Sequence, residues 1–423
     1  MTVCIRDTRL IDDAGRLHQG DVVLADDGSW HLAGAGDSAW EQLDGTSLIL
    51  TRTLQNWHTH LPMTLQRSWA EGLPLMRWLE GYMFPSEQVL TPEHVAAGTW
   101  AAAAEMIRTG TSFACDMYYF PEVIAQVMAD AGLRALVTGV VTDFPTPSYP
   151  DGPVQAINQL EALITGASPA PGRISFGIGT HSVYTCSPEN LSRACDVARR
   201  HSAPLHIHVS ETLGEIDACR TARGATPVHY LDSLDFLQPG LVAAHCGWLE
   251  PGEADLLARH HTKAVYCPSS NMKLATGSTM HIPHMTAAEV DVRLGTDGAA
   301  SNNSLDMRAE AKVASLLQRH DHGDATLMNP VTTWQMATRG SQDWVSWNLD
   351  DIRMMPAGAQ GSRLLSNLLY SNADCVDMWV AGTPVRRNGI TLTVDERAAI
   401  AGLERAAADI QHLSGRPEVP LPT

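Results

Sequence analysis

The sequence predicts an α/β fold, a (β/α)8 barrel of the TIM type with a small flanking β-sandwich domain built from both chain ends. Between about residues 54 and 335, short apolar runs that end in polar residues alternate with longer segments of helical periodicity. This alternation is typical of parallel sheets. Eight such runs indicate a closed barrel. At both chain ends, shorter alternating segments separated by Gly and Asp turns indicate antiparallel strands.

The apolar runs define the predicted barrel strands, and helices are predicted between them. A helix over 92–109 stops at Gly110, and a helix over 188–200 opens after Ser187, a residue type that caps helix N-termini. The strand runs end at His58, Asp116, Asp143, His181, Glu211, His245, Cys267 and Asp297.

The chain ends predict the small β domain. The predicted domains are residues 1–52 as its N-terminal part, 53–340 as the barrel, 341–398 as its C-terminal part, and 399–423 as a helix and tail. We expect the C-terminal part to be shortened, because residues 340–344 run almost directly into the strand-like segment 345–349.

Composition and charge exclude several classes of protein. With 423 residues, 44% hydrophobic, the chain can bury a large core, and its formal net charge of −18 repels phosphate backbones and anionic lipids. We therefore expect no nucleic acid and no membrane partner. The first residues carry charge where a signal peptide needs an apolar core, so we predict a cytoplasmic protein. The 8 cysteines are scattered and are expected to be reduced.

Histidine and carboxylate side chains end several predicted strands, where the loops of a barrel converge on one mouth: His58, His60, His206, His208, His245 and Asp297. His58 and His60 lie two residues apart on an extended strand, so both side chains point to the same face. Imidazoles with one carboxylate suit Zn or Fe(II) with an open position for water. Spacing alone does not decide whether His206 or His208 is a ligand.

Five segments, in order along the chain, resemble the amidohydrolase superfamily: NWHTHLPMTLQRSWAEGLPLMRWLE, LHIHVSET, LVAAHCGWLEPGE, CPSSNMKLATG and GTDGAASNNSLDM. More narrowly, they resemble its metal-dependent aminohydrolases, which include S-adenosylhomocysteine/5'-methylthioadenosine deaminases and triazine chlorohydrolases. The resemblance covers about residues 50 to 340. It implies a hydrolase that acts on carbon–nitrogen bonds in cyclic amidines and holds one divalent ion, zinc or alternatively iron. It also implies a small-molecule substrate and a homo-oligomer.

The resemblance implies roles for individual residues. Glu211 would protonate a ring nitrogen, His245 would orient the bound water, and Asp297 would accept the water proton and pass it to the leaving amine. The implied metal ligands are His58, His60, His208 and Asp297, and the implied substrate-binding residues are Trp78, Glu87, His181 and Ser301. Alternatively, Trp78 is only a hydrophobic wall and Glu87 a capping or surface carboxylate. His206 is left with a structural role.

The leading functional hypothesis is hydrolytic deamination of a 6-aminopurine nucleoside, of the adenosine or 5'-methylthioadenosine type, by zinc-bound hydroxide. S-adenosylhomocysteine is less favoured, because the deaminases of that substrate carry arginines in and after the third strand. This chain has Thr138-Gly139-Val140 there, and the loop 145–153 contains no Arg. The alternatives are a triazine chlorohydrolase or aminohydrolase, a guanine- or pterin-type deaminase, and a non-catalytic ligand-binding barrel.

Overall fold

The computed structural model describes residues 3–34, 37, 41–358, 360–371 and 373–416. Its strands are β1 (Val3–Ile11), β2 (Leu17–Leu24), β3 (Trp30–Leu32), β4 (Glu41–Asp44), β5 (Leu48–Arg52), β6 (Leu54–Thr59), β7 (Thr111–Asp116), β8 (Arg134–Val137), β9 (Ile174–Phe176), β10 (Ile178–Ser182), β11 (Leu205–Val209), β12 (Leu241–His245), β13 (Lys263–Tyr266), β14 (Asp291–Leu294), β15 (Trp344–Asn348), β16 (Cys375–Val380), β17 (Thr383–Arg387) and β18 (Ile390–Thr391).

The α-helices are α1 (Leu75–Trp78), α2 (Phe84–Glu87), α3 (Pro92–Thr109), α4 (Pro121–Asp130), α5 (Pro153–Thr165), α6 (Pro188–His201), α7 (Leu213–Arg223), α8 (Pro227–Ser233), α9 (Glu253–Arg259), α10 (Pro268–Lys273), α11 (Ile282–Ala287), α12 (Ala299–Asn302), α13 (Met307–His322), α14 (Pro330–Thr338), α15 (Gly361–Ser371) and α16 (Glu396–Ser414). Two 3-10 helices, Leu61–Gln66 and Ile352–Met354, and one π-helical turn, Leu79–Met83, complete the set.

The barrel is built from two arcs of parallel strands, β6 to β9 and β10 to β14. A single residue separates β9 from β10, so together they supply the fourth of eight strand positions. A parallel bridge between Val141 and Thr180 joins the arcs at one seam. At the other seam, the Asp297 backbone N–H donates to the His58 carbonyl at 3.0 Å. The predicted barrel is confirmed, and its carboxyl-terminal strand ends meet at one mouth.

Local sequence signals account for the helix boundaries. The Thr91 hydroxyl accepts the His94 backbone N–H at the start of α3, and Gly110, at φ 80°, ends that helix. The Ser187 hydroxyl accepts the Asn190 backbone N–H at the start of α6. The helices predicted over 92–109 and 188–200 are confirmed. Among the described residues, no helix is long and apolar enough to cross a bilayer.

The two chain ends share one nine-stranded sheet of order β18-β17-β16-β15-β5-β1-β2-β3, with β4 beside β1. The junction is the antiparallel pairing of β15 with β5, in which Ser346 lies opposite Leu50. This sheet has an apolar cluster of its own that includes Ile5, Leu24 and Trp344. The short connection after residue 340 therefore leads straight into a central strand. The domain boundaries themselves remain a prediction, and residues 417–423 of the predicted tail lie outside the described residues.

Candidate active site

Four potential metal ligands meet at the barrel mouth. His58 comes from β6, His60 directly follows that strand, His208 comes from β11, and Asp297 follows β14. One ligand atom of each lies within 4.8 Å of all the others. Asp297 Oδ1 is 3.3 Å from His58 Nε2 and 3.2 Å from His60 Nε2. His208 Nε2 is 3.3 Å from His60 Nε2. Three imidazoles and one carboxylate thus converge on a single point.

The hydrogen bonds of these residues fit a bound divalent cation. His60 Nδ1 donates to the Met117 carbonyl at 2.5 Å, and His208 Nδ1 donates to the His181 carbonyl at 2.7 Å. Each bond leaves an Nε2 lone pair directed at the cluster. His58 Nε2 is buried without a hydrogen-bond partner among the described residues. Because an unsatisfied buried nitrogen is costly, the site is suited to a metal ion that accepts these lone pairs.

Asp297 is held by two hydroxyl groups. Ser270 Oγ donates to its Oδ2 at 2.6 Å, and Ser301 Oγ donates to the same oxygen at 2.7 Å. Oδ1 is therefore left facing the histidines. Burial opposes ionisation, but the contacts with His58 and His60 hold the pKa of Asp297 well below its ordinary value. An ionised carboxylate at this point can bind a cation or accept a proton.

Backbone strain lies at the strand ends that carry the site. Ser210, His245 and Asp297 follow or end β11, β12 and β14, and their φ angles are 52°, 74° and 61°. Side chains other than Gly adopt such angles rarely, and they persist only where surrounding contacts enforce them. Here the turns redirect the chain so that successive side chains face the mouth.

Glu211 and His245 face each other beside the four converging residues, with Glu211 Oε1 3.9 Å from His245 Nε2. Burial, together with the negative charge of Asp297, raises the pKa of Glu211 to about 8. Burial lowers the pKa of His245 to about 4. At neutral pH Glu211 therefore carries a proton and His245 is neutral. The Asn271 side-chain amide contacts His245 Nδ1 at 3.2 Å and orients the ring.

A cavity opens from this cluster. The predicted substrate-binding residues Trp78, Glu87, His181 and Ser301 all line it, although their roles remain predictions. Glu87 is only 5% exposed, accepts a hydrogen bond from the Tyr119 hydroxyl at 3.2 Å, and has its pKa raised to about 7 by burial. It is therefore not a surface carboxylate. The Trp78 indole donates to the Trp69 carbonyl at 3.4 Å, which fixes its ring as a wall.

The remaining cavity wall is largely apolar. The described residues that line the cavity include no Lys and no Arg. A π-helical turn at Leu79–Met83, between α1 and α2, brings Leu79 and Phe84 to the wall. Such turns are often found at functional sites. The cavity therefore favours a neutral ligand with an apolar portion.

Sequence reasoning missed several residues that support the site. Ser270 and Asn271 follow β13 and hold Asp297 and His245, and the segment CPSSNMKLATG was a signal for them. Glu215 was also missed. Its buried carboxylate accepts the backbone N–H of Ser210 at 3.0 Å and that of Glu211 at 2.7 Å. Its position four residues after Glu211, in the first turn of α7, was the available signal.

Replacing Glu215 by Gln is expected to lower kcat about 10-fold and the free energy of unfolding by about 1–3 kcal/mol, because one buried N–H loses its acceptor. The turn that carries Glu211 would then shift. Steady-state kinetics and denaturant titration measure the two effects. Glu189→Gln is the matched control, since Glu189 is exposed in the first turn of α6. An unchanged kcat in Glu215→Gln would contradict this role.

Comparison with known proteins identifies the family. The model of the amidohydrolase family matches residues 49–347, which contain every barrel strand and the four converging ligands. The chain belongs to the amidohydrolase family. The resemblance seen in the five sequence segments is thereby confirmed.

Relatives of this amidohydrolase are described as deaminases. A 5'-deoxyadenosine deaminase of Methanothermobacter thermautotrophicus is 39% identical over 329 residues, which are 77% of this chain and 76% of the relative. A 5-methylthioadenosine/S-adenosylhomocysteine deaminase of Pelotomaculum thermopropionicum is 34% identical over 384 residues, 86% of this chain and 87% of the relative. Among solved structures, an adenosine deaminase from Xanthomonas campestris with bound zinc superimposes with a TM-score of 0.89 at 29% identity, covering 97% of this chain and 98% of that one.

Proposed function

We propose that this amidohydrolase is a hydrolytic deaminase of a neutral 6-aminopurine nucleoside, of the adenosine, 5'-deoxyadenosine or 5'-methylthioadenosine type. The observation that carries the proposal is Glu211, a carboxyl group kept protonated at neutral pH beside the His/Asp cluster. The names of the relatives support the same class of reaction. Non-catalytic ligand binding gives no reason for a buried proton donor at this point.

Zinc is the proposed resident ion, held by the four converging residues His58, His60, His208 and Asp297. Three neutral imidazoles and a carboxylate match its preferred donors. The structurally similar adenosine deaminase contains zinc, which supports this choice over iron. When bound, such an ion supplies a water molecule activated for attack at neutral pH.

The protein's own residues would move the protons. Glu211 donates its proton to the ring nitrogen next to the carbon that bears the amino group, which makes that carbon electrophilic. The attacking water forms the new C–O bond and gives a proton to Asp297, which passes it to the departing amino group. The C–N bond then breaks and ammonia leaves, and the proton of the newly bonded hydroxyl returns to Glu211, which leaves a carbonyl group in the product. His245, neutral and hydrogen-bonded by Asn271, orients the water.

The nucleoside would be bound by the cavity residues. We propose that Glu87 accepts hydrogen bonds from ribose hydroxyls, since its carboxylate is buried with Tyr119 in the cavity. Trp78 packs as a wall, and His181 lies beside the ligand His208. Ser301 already donates to Asp297, so its proposed contact with the substrate would also orient that carboxylate.

The decisive assay is ammonia release by the zinc-loaded protein. We expect kcat/KM for 5'-deoxyadenosine, 5'-methylthioadenosine and adenosine to exceed that for S-adenosylhomocysteine by about 10-fold or more, because the amino-acid carboxylate would lack a bidentate arginine partner. Comparable turnover of S-adenosylhomocysteine would contradict the proposed preference of the enzyme for neutral nucleosides. If no nucleoside is deaminated, the proposed function is wrong, and release of chloride or alkylamine from triazines becomes the next assay.

A further inference from the structure

The histidine ligands do not share one kind of hydrogen-bond partner. His60 and His208 donate from Nδ1 to backbone carbonyls, which can only accept. His58 Nδ1 instead lies 2.8 Å from Nε2 of His206, in a completely buried pair. A second imidazole can donate or accept, depending on its tautomer. The His58 tautomer therefore depends on what fixes His206.

Thr138 supplies that control from the other side of the His206 ring. His206 Nδ1 lies 3.2 Å from Thr138 Oγ1. The Thr138 hydroxyl also has carbonyl acceptors within reach, that of Asp116 at 2.9 Å and that of Gly139 at 3.5 Å. A hydroxyl has a single hydrogen, so when that hydrogen is donated to a carbonyl, the oxygen can only accept from His206. This arrangement places the proton of His206 on Nδ1.

The tautomer of His206 determines the tautomer of His58. With its proton on Nδ1, His206 offers the Nε2 lone pair to His58, and the His58 proton must lie on Nδ1. His58 Nε2 then has a free lone pair at the ligand cluster, in agreement with its lack of a hydrogen-bond partner among the described residues. We propose that Thr138 and His206 are positioning residues that set the metal-binding tautomer of His58. We call Thr138, His206 and His58 the tautomer relay.

A cysteine thiol competes with the Thr138 hydroxyl for the same nitrogen of His206. Cys115 Sγ lies 3.6 Å from the same His206 Nδ1, and a thiol is a weak hydrogen donor. If the thiol donated there, the His206 proton would move to Nε2 and His58 would carry its proton on Nε2, where it blocks the ligand atom. The threonine oxygen accepts a hydrogen bond better than sulfur does and holds the productive arrangement.

Metal affinity tests the tautomer relay without relying on the substrate. The variants are Thr138→Val, His206→Leu and His206→Gln in the full chain. The first two are expected to weaken Zn²⁺ binding by about 10- to 100-fold, the usual effect of losing a residue that hydrogen-bonds to a metal ligand or orients it. His206→Gln is expected to remain within a few-fold of wild type, since its amide oxygen can accept from His58 Nδ1.

Competition with a chromophoric chelator measures the affinity, and the visible spectrum of the Co²⁺ form reports the ligand set. Thr111→Val is the matched control, because Thr111 is buried on the neighbouring strand and its hydroxyl has no partner among the described residues. Cys115→Ala is a second control that leaves the relay intact. We expect both controls to bind Zn²⁺ as wild type does.

Two results would overturn the proposal: Thr138→Val binding Zn²⁺ as tightly as Thr111→Val, or His206→Gln binding as weakly as His206→Leu. The thermal midpoint of each metal-free variant separates loss of folding from loss of affinity, and Thr138→Val, which is nearly isosteric, carries the test if His206→Leu does not fold. Any loss of deaminase activity in these variants rests on the proposed function, but their change in Zn²⁺ affinity does not. A failed nucleoside assay with altered metal affinity would refute the function and leave the relay standing.

Discussion

Replacing Glu211 by Gln is expected to lower kcat for nucleoside deamination by about 10²- to 10⁴-fold, the usual contribution of a general acid. Gln retains the size of the side chain but cannot deliver a proton to the ring nitrogen. Metal binding should not change, because Glu211 is not one of the four converging ligands. Ammonia release and zinc content, measured on the same preparation, check both statements.

The pH dependence gives an independent test of the same residue. The pKa of Glu211 is raised to about 8, so its protonated form is present at neutral pH and is lost as the pH rises through that value. Wild-type kcat should therefore fall above about pH 8, and the residual activity of Glu211→Gln should lack this alkaline limb. A variant that kept more than a tenth of the wild-type kcat would contradict the assignment of Glu211 as the acid.

Replacing Asp297 by Asn is expected to abolish both tight zinc binding and activity. The amide is neutral, so the cluster loses its anionic ligand, and it cannot accept the proton of the attacking water. The affinity for Zn²⁺ should fall by more than about 100-fold, which is the largest loss usually seen when a residue that only hydrogen-bonds to a ligand is replaced. Equilibrium dialysis with Zn²⁺ and the rate of ammonia release measure the two effects.

Asp291→Asn is the matched control for that variant. Asp291 begins β14, the strand that precedes Asp297, and pairs with Arg293 and Arg339 away from the cavity. We expect it to retain zinc and kcat. Removing the metal from the wild type with a chelator should reproduce the Asp297→Asn defect, and returning Zn²⁺ should restore activity only in the wild type. An Asp297→Asn protein that binds Zn²⁺ normally would refute the proposed ligand set.

Much of the barrel and the site was predictable because the signals are local. Side chains two residues apart on extended backbone point to the same face, so His58 and His60 were expected to point together. The ends of parallel strands meet at one mouth, which brings His245 and Asp297 from distant parts of the chain to the same site. Residues such as Gly110 and Ser187 act within one helical turn, so the end of α3 and the start of α6 could be predicted.

Other features were missed because their signals depend on contacts across the chain. Helix α15 was not predicted, although its buried Leu364, Leu365, Leu368 and Leu369 form one face. The central position of β15 depends on its pairing with β5, nearly 300 residues earlier in the chain. Short strands are stabilised by such partners more than by their own residues.

The sequence by itself determined the fold class, the amidohydrolase resemblance and the set of strand-end histidines and carboxylates, because periodicity and motif order are properties of the chain. The spacing of His206 and His208 leaves open which of them is a ligand, and the resemblance implies His208. Only the tertiary structure shows the contacts of each ring, because those contacts come from strands that are distant along the chain. His208 joins the cluster, and His206 lies behind His58, bonded to Thr138. The same reason applies to Glu215: its position in the first turn of α7 could be seen in the sequence, but its hydrogen bonds to the backbone N–H groups of Ser210 and Glu211 could not.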